Sequence, residues 1–178
     1  MGITRRKLGA GASACFGLTG CGFHPVYAPG SKGVEGPAEL GLSQINVALI
    51  PERSGQLLRD YLQQRLERAG GHATKLFDLS VSFRLAQEGV AISRADSIAT
   101  RIRVVGTATW SLISLDAERR TITNGLARSI DGFNPIDLQY FYSDLQNEQV
   151  QRRVAEALAD QISLQLATYF NARPLPAD

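Results

Sequence analysis

The chain has 178 residues, 44% of them apolar, with 19 lysines and arginines against 17 acids and a formal net charge of +2. That apolar fraction supports one packed domain and excludes a disordered polymer, because enough nonpolar surface is available to offset the entropy of ordering. Three of the bases, Arg5, Arg6 and Lys7, crowd the amino terminus; without them the charge becomes −1, which removes the basis for a general nucleic-acid-binding role.

The basic cluster is followed by a Gly/Ala-rich apolar run from Leu8 to Leu18. A run of about a dozen residues is well short of the roughly 20 that a helix needs to cross a bilayer, so residues 1–20 are expected to be a secretory signal peptide. Leu18-Thr19-Gly20-Cys21 resembles the bacterial lipobox. The resemblance implies diacylglyceryl transfer to the Cys21 thiol, cleavage between Gly20 and Cys21, and acylation, as by palmitate, of the new amino terminus. One acyl chain binds a membrane only marginally, whereas two or more hold it stably. Cys15 lies within the signal, so the mature chain keeps Cys21 alone and can form no intramolecular disulfide. Thr4-Arg5-Arg6-Lys7-Leu8 also resembles a twin-arginine export motif, but a basic run is common in any signal peptide and the general secretory route is the other reading. Gly22 stands where an aspartate would resemble an inner-membrane retention signal, which favours the outer membrane by analogy.

Residues 21–41 are rich in Gly and Pro and are expected to form a flexible tether without regular structure until about Leu42. Phe23, Pro25, Val26 and Tyr27 make its start apolar enough to dock on the domain or on a partner. A folded domain is expected over residues 42–173, with 174–178 as a tail. Ile45 to Ile50 suits a strand. Ser54 is placed to cap a helix in which Leu57, Leu58, Tyr61, Leu62, Leu66 and Ala69 recur at helical spacing until Gly70-Gly71. Phe77, Leu79, Val81, Phe83 and Leu85 alternate with polar residues, which predicts a strand with one wet face.

A turn at Glu88-Gly89 and a second long strand from about Ile98 to Leu115 follow. Ile98, Ile102, Val104, Ala108, Trp110 and Leu112 lie on one side of it, with Arg101, Arg103, Thr107 and Thr109 on the other. A third strand over Thr121 to Ile130 is expected to turn Ile122, Leu126 and Ile130 inward. From about Ser143 to Asn171 an apolar stripe running from Val150 to Phe170 predicts a long helix, with Pro174 just beyond. The order β-α-β-β-β-α specifies an α+β fold: a two-layer sandwich of a mixed four-stranded sheet with two helices on one face.

The two histidines, His24 and His72, have no cysteine or carboxylate at ligand spacing, so no metal site is expected. No nucleophile and base stand at recognisable spacing, and no glycine-rich phosphate loop precedes a helix. Neither a catalytic residue nor a cofactor is therefore expected, and Asp131 and Asp137 read as solvated charges. Arginine is unevenly spread: residues 81–130 hold seven against four acids, and residues 131–178 hold three against seven. Arg84, Arg94, Arg101, Arg103 and Arg128 form the set of interest. Arg101 and Arg103, two apart on a strand, share a face and can clamp phosphates or carboxylates with planar bidentate hydrogen bonds. The alternative is a solvated face laced with cross-strand ion pairs. Tyr140, Phe141 and Tyr142 either face a partner or pack where the long helix meets the sheet.

The lipobox, "CGFHPVYA", "IPERSGQLLRDYLQQRL", "SRADSIATRIRVVGTATWSL" and "RRVAEALADQISLQLATYF" occur in an order and spacing that resemble the LptE family of lipopolysaccharide-assembly lipoproteins, in its alphaproteobacterial form. The resemblance implies a non-catalytic outer-membrane lipoprotein, anchored on the periplasmic side, that plugs the lumen of an LptD-like β-barrel. It implies help in assembling that barrel and binding of lipopolysaccharide on its way to the cell surface. The family fold agrees with the element order read above. Since lipopolysaccharide carries phosphates and acid sugars, Arg94, Arg101, Arg103 and Arg128 become the candidate contacts. The competing reading is an auxiliary lipoprotein of an ABC-type envelope lipid-transport complex, which can share this architecture.

Overall fold

The computed structural model describes residues 36–67, 73–92, 99–135 and 140–173, with the side chains at 91, 92, 99, 100, 140 and 141 excepted. The signal, Cys21, most of the tether, both histidines, Arg94, Asp137 and the tail at 174–178 lie outside the described residues. In chain order the elements are α1 (Pro37–Ser43), β1 (Ile45–Val47), α2 (Arg53–Leu66), β2 (Phe77–Ile92), β3 (Ala99–Ser114), β4 (Thr121–Phe133) and α3 (Tyr140–Ala172). The strands form one sheet in the order β1-β2-β3-β4, parallel between β1 and β2 and antiparallel thereafter. The expected mixed four-stranded α+β sandwich is therefore present, preceded by one further helix.

That helix, α1, occupies a stretch expected to lack regular structure. Pro37 presets the backbone of its first turn, and Ala38 and Leu42 are buried. Gly41 lies directly under the ring of Phe170, so close that an added Cβ would sit 2.4 Å from Cγ. Composition pointed to a tether here because glycine and proline dominate. The helix forms because its few apolar residues find α3.

β2 follows its alternation: Phe77, Leu79 and Val81 are buried, while Ser80, Ser82 and Arg84 are exposed. The turn expected at Glu88-Gly89 is instead continuous strand to Ile92, because Glu88 stands opposite Arg103 and the ladder runs on past a register irregularity between Gly89 and Ala91. β3 buries Val104, Ala108, Trp110 and Leu112 on the same side.

β4 departs from expectation. Leu112 pairs with Thr123 and Ile113 with Thr121, so Ile122 is an extra residue in the ladder. Such a bulge reverses the side-chain phase beyond it. Ile122 reaches the core, but Ala127 is the buried residue of the later strand, whereas Leu126 and Ile130, expected inward, are 57% and 54% exposed.

The core lies between the inner sheet face and the helices. Leu58 and Leu62 of α2 and Val154, Leu158, Ile162 and Leu166 of α3 are fully buried, each contributing on the order of 1.5–3 kcal/mol. α3 comes so close to β3 that a Cβ on Gly106 would lie 2.4 Å from Val154 Cγ1. α2 begins at Arg53, not at a Ser54 cap; Glu52 enters it with φ of 68°, a region that favours glycine. Arg65 ties α2 to α3 through Asp160 at 2.5 Å and Glu156 at 3.3 Å.

β4 is an edge strand, and α3 covers part of that edge with two glutamines. Gln165 Nε2 donates to the Leu126 carbonyl at 3.1 Å and its Oε1 accepts from Trp110 Nε1 at 2.9 Å. Gln161 Oε1 accepts from the Arg128 backbone N–H at 3.2 Å. These bonds occupy groups that would otherwise template pairing with another chain.

Candidate functional site

The face of the sheet turned away from the helices carries the residues of interest. Antiparallel register assembles it from alternate positions: Arg84, Ala86, Glu88 and Val90 on β2, Arg101, Arg103, Val105 and Thr107 on β3, and Leu126, Arg128 and Ile130 on β4. No described helix lies over it. Val105 is nevertheless buried and stands apart from the core cluster, flanked in register by Ala86 and Ile130.

Toward the end of β3 near Ala99 this face forms a groove of about 400 Å³, lined by Val90, Arg101, Arg103, Ile130, Asp131 and Gly132. The expected Arg101–Arg103 pair is thus brought together beside two exposed apolar side chains, Val90 and Ile130. Arg128 shares the face but not the groove: it stands opposite Thr107, four residues along β3 from Arg103. Arg94 falls outside the described residues.

The electrostatics of the groove are set by two carboxylates. Glu88 accepts from Arg103 Nη2 at 2.5 Å, with the two side chains 51% and 44% exposed. The hydrogen bond and charge of Arg103 hold the Glu88 carboxyl below the usual range, helped by the charge of Arg128. Asp131 accepts from Arg153 Nε of α3 at 2.6 Å and from the Gly132 N–H at 2.7 Å. Burial pushes its carboxyl up, but those bonds and the charges of Arg153 and Arg101 outweigh it and leave the group lowered. Asp131, expected as a solvated charge, is thus the partner of an arginine, with its side chain 31% exposed.

On the helix side of Gly132 a second cavity of about 480 Å³ is lined by residues that include Phe133, Asn134, Tyr142, Leu145, Gln149 and Arg153. Tyr142 and Leu145 are 45% and 46% exposed. Tyr142 therefore neither faces fully outward nor packs fully at the helix–sheet junction.

Sequence reasoning missed Glu88, Asp131, Arg153, Val90 and Ile130 as parts of this region. The Glu88–Arg103 contact becomes visible once the β2–β3 register is known, whereas Ile130 was hidden by the bulge at Ile122. Among the described residues no group of three or more His, Cys, Asp or Glu is placed to hold a metal, and no helix is long and apolar enough to cross a membrane.

A family model described as lipopolysaccharide-assembly, LptE, matches residues 42–166. A putative lipoprotein from Caulobacter crescentus CB15 superposes with a TM-score of 0.63 at 21% identity, covering 78% of this chain and 100% of its own. A minor lipoprotein from Acinetobacter baumannii gives 0.52 at 16% identity, with 76% and 97% covered. The rare lipoprotein B from Shewanella oneidensis gives 0.52 at 10% identity, with 71% and 93% covered. At these identities the likeness is one of fold. No curated protein matches the chain.

Proposed function

Because the chain belongs to the LptE family of lipopolysaccharide-assembly proteins, we propose that it plugs the lumen of an LptD-type β-barrel, assists its assembly, and binds lipopolysaccharide through the outer sheet face. The family is non-enzymatic and works in lipopolysaccharide assembly, so the chemistry asked of the domain is recognition. The observation that carries the ligand reading is the groove in which Arg101 and Arg103 lie beside Val90 and Ile130. An amphiphile with an anionic head needs that pairing: guanidinium forks for phosphate or carboxylate, and apolar contact for the adjoining chain. The polar remainder of the outer face and the exposed helix residues suit a barrel interior, which is itself polar.

The anchor belongs to the same proposal. Lipidation at Cys21 would hold the protein at the outer membrane through its tether, and mass spectrometry of the mature amino terminus, with Cys21→Ala as control, tests it directly. An unmodified thiol would remove the anchor.

For the ligand, Arg101→Glu with Arg103→Glu is expected to weaken lipopolysaccharide binding about tenfold or more. Barrel association should be measured separately, by recovery of a large β-barrel protein in near-equal amount from detergent-solubilised outer membranes. Unchanged lipopolysaccharide binding would leave only a solvated, ion-paired face; recovery of the chain alone would defeat the plug reading.

A further inference from the structure

Resting on the anion-binding reading above, we infer that Glu88 is an internal competitor for the anion at Arg103, a carboxylate that a phosphate or carboxylate head group must displace in order to bind. The β2–β3 register puts Glu88 directly opposite Arg103, and their 2.5 Å contact joins side chains 51% and 44% exposed. A pair so open to water is weak, because solvent screens its charges, so it holds Arg103 without locking it. Arg101 is in a different state. Its side chain lines the same groove; it stands in none of the ion pairs formed among the described residues, although its charge acts on Asp131. The acid in that lining, Asp131, is already engaged by Arg153 at 2.6 Å and by the Gly132 N–H.

An arriving anion therefore meets Arg101 first and gains Arg103 only by exchange with Glu88. The charges of Arg103 and Arg128 keep Glu88 ionised, so the competitor is present at neutral pH. Exchange of one anion for another makes binding shallow and release fast. A protein that hands a ligand onward needs both, and differences in affinity at one site fall mostly on the dissociation rate.

The test uses the full chain in detergent micelles with lipopolysaccharide as probe and inorganic phosphate as a second one. Glu88→Gln preserves shape and removes the charge; it is expected to tighten lipopolysaccharide binding about two- to fivefold, chiefly through slower dissociation. Glu118→Gln makes the same change in net charge in the β3–β4 turn and should leave binding unaltered. In an Arg103→Gln background the effect of Glu88→Gln should vanish, since the competition acts through Arg103. A gain equal to that of Glu118→Gln, or one that persists without Arg103, overturns the inference. A gain seen with inorganic phosphate as well as lipopolysaccharide supports it and assigns the exchanged group as a phosphate wherever it comes from. A gain with lipopolysaccharide alone supports it for a lipid head group. If Arg101→Glu with Arg103→Glu leaves lipopolysaccharide binding unchanged, the anion-binding reading itself fails; if that pair abolishes binding while Glu88→Gln is silent, only the Glu88 inference fails.

Discussion

The two faces of β2, β3 and β4 are built from the same strands yet obey different rules. The inner face is mainly apolar, with Leu79, Val104, Ala108 and Leu112 fully buried, and glycine appears where a helix must come close; Gln87 and Asp131, at its end, bond to α3 instead. The outer face mixes Arg84, Arg101, Arg103 and Arg128 with Val90, Leu126 and Ile130, and its charges are answered one by one or left open. Burial spends the first face on stability and leaves the second available for recognition. Substitutions should therefore separate into those that unfold the chain and those that change only what it binds.

The inner face should show the largest losses. Leu158→Ala removes a fully buried side chain between α3 and the sheet, and is expected to cost about 2–5 kcal/mol in denaturant unfolding. Gly106→Ala tests the same contact by the opposite route. The new Cβ would lie 2.4 Å from Val154 Cγ1 and 3.0 Å from Leu158 Cδ1, so α3 must move away from β3 at a cost of about 1–3 kcal/mol. If Gly106→Ala is neutral, the helix is not seated as tightly as this packing requires.

How far the two faces could be read in advance depended on the regularity of each strand. In β2 a period of two assigned every residue from Phe77 to Leu85 to its side, and in β3 it placed Val104, Ala108, Trp110 and Leu112 opposite Thr107 and Thr109. Arg101 and Arg103 were placed together for the same reason. In β4 the phase changes at Ile122, and nothing in a single sequence marks a bulge of ordinary residues, so Leu126 and Ile130 were assigned to the wrong face. Glu88 was hidden because a glycine following an acid suggests a turn, whereas the ladder that pairs Gln87, Glu88 and Gly89 with Val104, Arg103 and Ile102 holds that stretch extended. α1 was hidden because its stability is tertiary: a seven-residue helix gains little alone and depends on the Gly41–Phe170 contact.

The rim between the faces should give intermediate effects. Gln165→Ala leaves the Trp110 N–H and the Leu126 carbonyl without their partner, an expected loss of about 1–2 kcal/mol. It also uncovers part of the β4 edge, so light scattering should detect more self-association than in wild type. Arg153→Ala acts on the same rim through pH. Asp131 binds its proton less readily folded than unfolded, so the stability it contributes is present above the ordinary carboxylate range and fades as pH falls through its lowered value. Removing Arg153 should shrink the stability difference between about pH 7 and pH 3, with little change at the acid end. With Asp131 31% and Arg153 55% exposed, the effect is expected to stay under about 1 kcal/mol.

The smallest effect on stability is the sharpest test of the outer face. Ile130 is 54% exposed and lines the groove beside Arg101 and Arg103. If this face is merely solvated, Ile130→Ser should change neither folding nor binding. If it receives an amphiphile, the unfolding free energy should stay within about 0.5 kcal/mol of wild type while lipopolysaccharide binding falls severalfold, because the apolar half of the groove is lost and the arginines remain. A large loss of stability would instead mean that Ile130, together with Val105 behind it, forms a second small core. The division between a face that folds the protein and a face that binds would then have to be redrawn around that pair.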